Sequence, residues 1–261
     1  MITKTVIAFL FRSPGVRNAA AVAVAVAVAI GCASLANAQV VERRPRSAEP
    51  DVAPTTFVGG GLAYASPRGE FKDYVRGAFG LTGHLVHAFD PEGILAVRAE
   101  LGYLNYGNTT NRQALGGGAL GLITVDVTTS NNIVVGGLGL QLMAPAGTVR
   151  PYLTGSVGFS YFFTQSSVEG TSNIEPFAET ENFSDGGFTT LWGGGLYIPV
   201  RRGLKPISID LGAQMHSNSD IQYLTKSSIV ITNSSAPPVI TPVRSAADFI
   251  TFRLGITVGI R

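Results

Sequence analysis

The chain has 261 residues, of which 32 are Gly and 14% are charged, against roughly 7% and about 25% in an average soluble domain. A hydrophobic content of 45% excludes disorder of the whole chain, and a single Cys excludes both a disulfide scaffold and a cysteine-built zinc site. A formal net charge of +2 excludes the basic footprint of a nucleic-acid binder.

Residues 1–38 have the layout of an export signal. Lys4, Arg12 and Arg17 are the charges that precede Glu42, and an Ala-Val run from Ala19 to Ile30 follows them. Ala36-Asn37-Ala38 then places small residues where a signal peptidase cuts, which predicts a mature start at Gln39. A permanent helix needs about 20 apolar residues to cross a bilayer, and the run from Ala19 to Ala36 is short of that. Gly31-Cys32 offers a competing start at a lipid-modified Cys32, although Ala29 stands where such signals usually hold Leu. Loss of the three leader cations leaves a nearly neutral mature chain. Residues 39–54, with Arg43, Arg44, Arg46 and three prolines, are expected to form a flexible periplasmic tail.

From Thr55 to the end the hydrophobic period is two. In the last segment Ile250, Phe252, Leu254, Ile256, Val258 and Ile260 alternate with Thr251, Arg253, Gly255, Thr257 and Gly259. Seven similar segments precede it, at 55–66, 75–89, 94–106, 131–143, 149–163, 187–200 and 207–217. Each is long enough for the 9–11 residues that a tilted strand needs to cross a bilayer. The connections sort by length. Those at 90–93, 144–148 and 201–206 are short, whereas 107–130, 164–186 and 218–247 are long and polar, and 67–74 is intermediate. Short turns at one end and long loops at the other are the habit of bacterial outer-membrane barrels. The predicted fold is therefore all-β: a closed antiparallel transmembrane barrel over residues 55–261, with eight strands. Residues 119–129 and 227–232 would raise the count to ten, and are taken instead as strand extensions beyond the membrane.

These segments, with the leader, resemble the small outer-membrane barrel superfamily of the OmpA transmembrane domain, OmpX and the opacity proteins. The C-terminal assembly signal of that family is a polar residue, then Gly two on, then hydrophobics five and seven on. Arg253, Gly255, Val258 and Ile260 fit the spacing, although the chain ends Ile260-Arg261 where relatives commonly end on Phe. The resemblance implies the bacterial outer membrane as location. It also implies outer-membrane lipid, lipopolysaccharide and the barrel-assembly machinery as partners.

Alternation projects Arg98, Glu100, Asp210 and Arg253 into the lumen, with His84, Gln141 and His216. A charge facing lipid would cost about 2–4 kcal/mol at the midplane. Two acids and two bases in a narrow lumen should pair. Asp210 and Arg253, on adjacent strands, are plausible direct partners, and Glu100 could reach across to Arg253 and Arg98 to Asp210. The expected result is a lumen plugged by ion pairs. Small inward residues (Gly59, Gly61, Gly80, Gly137, Gly139, Gly193 and Gly195) keep open the alternative of a small-solute or hydrophobic-molecule channel.

An enzyme is the third class. Lipid A deacylases on this fold use His and Ser two apart on one strand face. Here His216-Ser217-Asn218-Ser219 puts neither hydroxyl on the histidine's face. The glycine triplets at 59–61, 116–118 and 193–195 lack the context and the Lys-Ser/Thr of a phosphate loop. No catalytic residue, cofactor or metal is expected. Tyr64, Phe89, Tyr103, Tyr106, Phe159, Tyr161 and Trp192 suit the membrane interfaces or lipid contact. The stretch 164–185 carries Glu169, Glu175, Glu179, Glu181 and Asp185 with no base, an acidic loop that could bridge divalent cations to lipopolysaccharide. The loops leave room for an extracellular ligand. The leading expectation is a non-enzymatic barrel serving envelope integrity or surface interaction.

Overall fold

The computed structural model describes residues 54–260 apart from 115–123, 146, 171–175, 204, 226–227 and 231–238. The leader, its cleavage site, Cys32, Gly116–Gly118 and Glu175 lie outside the described residues.

In chain order the elements are β1 (Thr56–Pro67), the one-turn helix α1 (Phe71–Tyr74), β2 (Ala78–Ala88), β3 (Leu95–Ala114) and β4 (Thr124–Met143). Then come β5 (Arg150–Gly170), β6 (Pro176–Arg201), β7 (Ile207–Asn218), β8 (Asp220–Tyr223) and β9 (Ile229–Val230). The last are β10 (Val239–Ile240), β11 (Val243–Ala246) and β12 (Phe249–Ile260). Eight of these strands close a ring in the order β1-β12-β7-β6-β5-β4-β3-β2, every neighbour antiparallel. The remaining four form two small ladders, β8 with β11 and β9 with β10. The wall therefore has eight strands.

Alternation gives the wall its two chemistries. Leu62, Leu85, Leu138, Leu140, Leu153, Val157, Trp192, Leu254 and Ile256 stand on the outer face, each more than two-fifths exposed. Arg98, Gln141, Thr154, Ser160, Thr189, Asp210, Gln214 and Thr257 are buried on the inner face. An apolar outside and a polar inside, with every wall edge paired, satisfy a bilayer and its lack of hydrogen-bonding partners. The wall is a transmembrane barrel. Its closing seam runs from Thr56↔Ile260 to Pro67↔Phe249. Here Gly61 and Gly255 sit opposite one another, and a Cβ on either would collide with the facing backbone, so glycine is required for this close approach.

Two expectations about the connections are corrected. Residues 107–114 are not loop but paired strand, from Asn108↔Ser130 up to Ala114↔Thr124, and their partner 124–129 is the strand extension expected of 119–129. Likewise 164–170 pairs with 176–183. Register shifts at Asn105/Gly107 and Thr164/Gln165 break the phase, and beyond them the pairs are mostly polar, with Val127, Val168 and Ala178 in one register row. Pairing continues where the hydrophobic period stops, so periodicity could not see it. Residues 227–232, taken as a wall-strand extension, contribute Ile229–Val230 to a separate two-residue ladder with Val239–Ile240.

Candidate functional site: the lumen

Four inward charges meet in two pairs across the middle of the barrel. Arg98 and Glu100 lie two apart on β3, hence on one strand face, and Arg98 Nε donates to Glu100 Oε2 at 3.2 Å. Arg98 Nη1 donates to Gln141 Oε1 at 2.9 Å and to Tyr197 Oη at 3.4 Å. Glu100 Oε1 accepts from Gln214 Nε2 at 2.9 Å. The register Gly255↔Asp210 places Arg253 one diagonal step from Asp210. Arg253 Nε donates to Asp210 Oδ2 at 2.9 Å, and Tyr152 Oη donates to Asp210 Oδ1 at 2.6 Å. Arg253 Nη2 closes the triangle on Tyr152 Oη at 2.7 Å.

The cross-lumen pairs Glu100–Arg253 and Arg98–Asp210 do not form. Amides and phenols fill the ground between the two ion pairs instead. Gln214 takes the free oxygen of Glu100, and Tyr152 stacks on Tyr197 with ring centroids 4.6 Å apart. Tyr197, an inward aromatic expected to help close the lumen, joins the layer, and Tyr152 and Gln214 complete it without a sequence signal that marks them out. Their inward phase was legible, since Tyr152 aligns with Thr154 and Gln214 with Asp210, but polar side chains without formal charge carry no sequence signal of pairing.

Both inward histidines bind hydroxyls. His84 Nε2 lies 3.1 Å from Thr257 Oγ1 and 3.9 Å from Asp210 Oδ2. His216 Nε2 lies 2.9 Å from Thr251 Oγ1, its ring stacked on Phe249. Nδ1 of each has no hydrogen-bond partner among the described residues. A hydrolytic triad needs an acid on that second nitrogen to orient the ring, and neither ring has one.

Above this polar layer, at the long-loop end, stands an apolar roof that the alternation did not reveal. Phe71 of α1 packs edge-on against Tyr223 of β8 at 5.0 Å and against Phe162 of β5 at 5.9 Å. Leu104, Ile133, Ile221, Ala247 and Phe249 join the same buried cluster. Tyr106, assigned above to the membrane, turns inward to this roof, where its hydroxyl donates to Leu224 O at 3.2 Å. Two carboxylates hold the roof segment by accepting from backbone amides. Asp185 Oδ2 takes Gln222 N–H at 2.7 Å, and Asp248 Oδ1 takes Asn218 N–H at 2.8 Å.

Free space beside the charged layer is small. A cavity of about 20 Å³ touches Glu100, Gln214, His216 and Arg253 above. One of about 30 Å³ touches Gln141, Tyr197, Ser208 and Thr257 below. Each is of the order of one or two waters. The space beside Gly59 is taken by His84 and that beside Gly195 by Tyr152.

The remaining candidate residues are dispersed. Gly255 lies at the seam, while Val258 and Ile260 share the outward phase of β12. The expected acidic loop is mostly strand. Glu169 pairs in register with Asp126 and Glu179 with Ser167, Glu181 Oε1 accepts from Tyr161 Oη at 3.3 Å, and Asp185 serves the roof. Among the described residues, no group of three His, Cys, Asp or Glu could hold a metal ion.

No family model matches the chain, and no curated protein matches it significantly. Solved structures do. Neisserial surface protein A is similar at 10% identity with a TM-score of 0.38, covering 79% of this chain and 97% of its own. Ail, the attachment invasion locus protein of Yersinia pestis, is similar at 10% identity and 0.41, covering 79% and 98%. The outer membrane protein OprG from Pseudomonas aeruginosa is similar at 11% and 0.41, covering 79% and 95%. Likeness at this level adds nothing to the barrel assignment, which stands on the ring order and registers above.

Proposed function

We propose that the chain is a non-enzymatic protein of the bacterial outer membrane, serving envelope integrity or surface interaction through its wall and its exposed strands, with a closed lumen. The short turns and both ends of the wall then face the periplasm, and the roof faces outward. One observation carries the reading: the lumen is filled at two successive levels, by the Arg98–Glu100 and Asp210–Arg253 layer and by the roof around Phe71. Eight strands enclose an interior that side chains can fill, and here large ones occupy the room that glycines leave.

Planar-bilayer recording tests the closure. The purified barrel should show no steady single-channel current under a salt gradient. A sustained ohmic current from the wild-type protein rejects the closed lumen and favours a small-solute channel.

A further inference from the structure

The turn that joins β6 to β7 concentrates positive charge. Arg201, Arg202 and Lys205 are all exposed, and none forms an ion pair with a described carboxylate. Gly203, with φ of 111°, supplies the left-handed backbone that reverses the chain, and Arg201 pairs with Ile207 across the turn. The position of the cations along the wall is informative. Trp192, Leu196 and Val200 climb the outer face of β6 at 61%, 40% and 66% exposure. The cations begin at the next residue, where the lipid-facing ladder ends. On the membrane placement proposed above, that is headgroup depth.

The ring order places this turn diametrically opposite the β2–β3 turn, whose charges are Asp90 and Glu92. Residues 144–149, the third connection at this end, carry no charge. Arg150, which follows, is already engaged: it donates to Ala144 O and Glu92 O. Among the described residues the cationic sector is therefore local to one side of the rim, and no described carboxylate pairs with it. At headgroup depth the complementary group is a phosphate diester, and each Lys or Arg near an anionic bilayer surface is attracted to it.

We propose that Arg201, Arg202 and Lys205 form a docking site for the headgroup phosphate of an anionic phospholipid in the periplasmic leaflet. The site rests on the membrane orientation proposed above. A bound lipid would seat its acyl chains on the outer face of β6, beside Val200 and Leu196.

Native mass spectrometry of the detergent-solubilised chain, with equimolar phosphatidylglycerol and phosphatidylcholine, tests it. Wild-type protein should retain phosphatidylglycerol over phosphatidylcholine by about tenfold, a factor within what three such cations supply. The triple variant Arg201→Gln, Arg202→Gln, Lys205→Gln should bring the ratio near one. Glu92→Gln, on the opposite side of the rim, should leave it unchanged. Equal retention by the wild type, or an undiminished preference in the triple variant, overturns the site. A heat-modifiable gel shift of each variant separates the two levels of failure. A shifting barrel without lipid preference refutes the lipid site alone, and a chain that never shifts in lipid refutes the barrel orientation and the site together.

Discussion

Asp210 is fully buried, and both its oxygens are taken, one by Tyr152 and one by Arg253. Replacing it with Ala removes a charge and also leaves Arg253, with a side chain 8% exposed, without its ion-pair partner. Breaking one side of a buried pair costs about 3–5 kcal/mol, largely for the uncompensated partner. Asp210→Ala should therefore unfold at markedly lower urea, followed by fluorescence of the single Trp, Trp192. The double variant Asp210→Ala, Arg253→Met should recover part of that loss, because it strands no charge. Equal stability of the single variant and the wild type would show that water, not Arg253, balances Asp210. Which charges lie inside was legible from alternation and from the cost of a charge in lipid. The Asp210–Arg253 pair was legible too, from adjacent strands, and forms; that Arg98 takes Glu100 was not, because that choice depends on the reach of Gln141, Gln214, Tyr152 and Tyr197.

At the scale of elements, turns and inserted segments differ in what specifies them. The β2–β3 turn is written locally: Asp90 accepts from Ile94 N–H at 2.7 Å and Leu95 N–H at 2.8 Å, and Gly93 takes φ of 68°. Those amides hold the Asp90 carboxyl below the usual carboxylate range. A carboxyl depressed on folding contributes stability that is complete above its unfolded value of about 4 and is lost as pH falls through the lowered folded value. The urea midpoints of wild type and Asp90→Ala should therefore differ at neutral pH and converge as pH falls below the lowered folded value, measured over a pH series. The roof is specified otherwise. Phe71 lies in a one-turn helix between two charged residues, Glu70 and Lys72, and its apolar partners come from β5, β8 and β12. A single aromatic among charges has no period, so its burial is invisible until the strands that surround it are closed into a ring.

For the whole molecule, the proposed closed lumen, with the charged layer beneath the roof, sets what a lumen substitution should do. With the roof in place, Asp210→Ala should remain non-conducting even though the charged layer is disturbed. Phe71→Ala alone should also stay closed, because the layer beneath it persists. The combination of Phe71→Ala and Asp210→Ala should open a measurable steady current in planar bilayers, at the combined cost in stability of a buried aromatic, about 3–5 kcal/mol, and a broken pair. If Asp210→Ala alone conducts as well as the double variant, the roof is not a seal.

The amino-acid order alone determined the wall: period two repeated in eight segments, with polar and apolar faces that only a closed sheet in a bilayer reconciles. It also determined the end at which the short turns lie and the phase of every inward charge, since alternation is a local property of each strand. Tertiary structure decided how far β3 to β6 run past the belt, because cross-strand pairing persists there after the hydrophobic signal has ended. It decided that Arg98 takes Glu100 and Arg253 takes Asp210, and that Phe71, Phe162, Tyr223 and Phe249 meet above them. Except for Arg98–Glu100, both on β3, those contacts join residues from elements distant in sequence, and their distances exist only once the ring is closed.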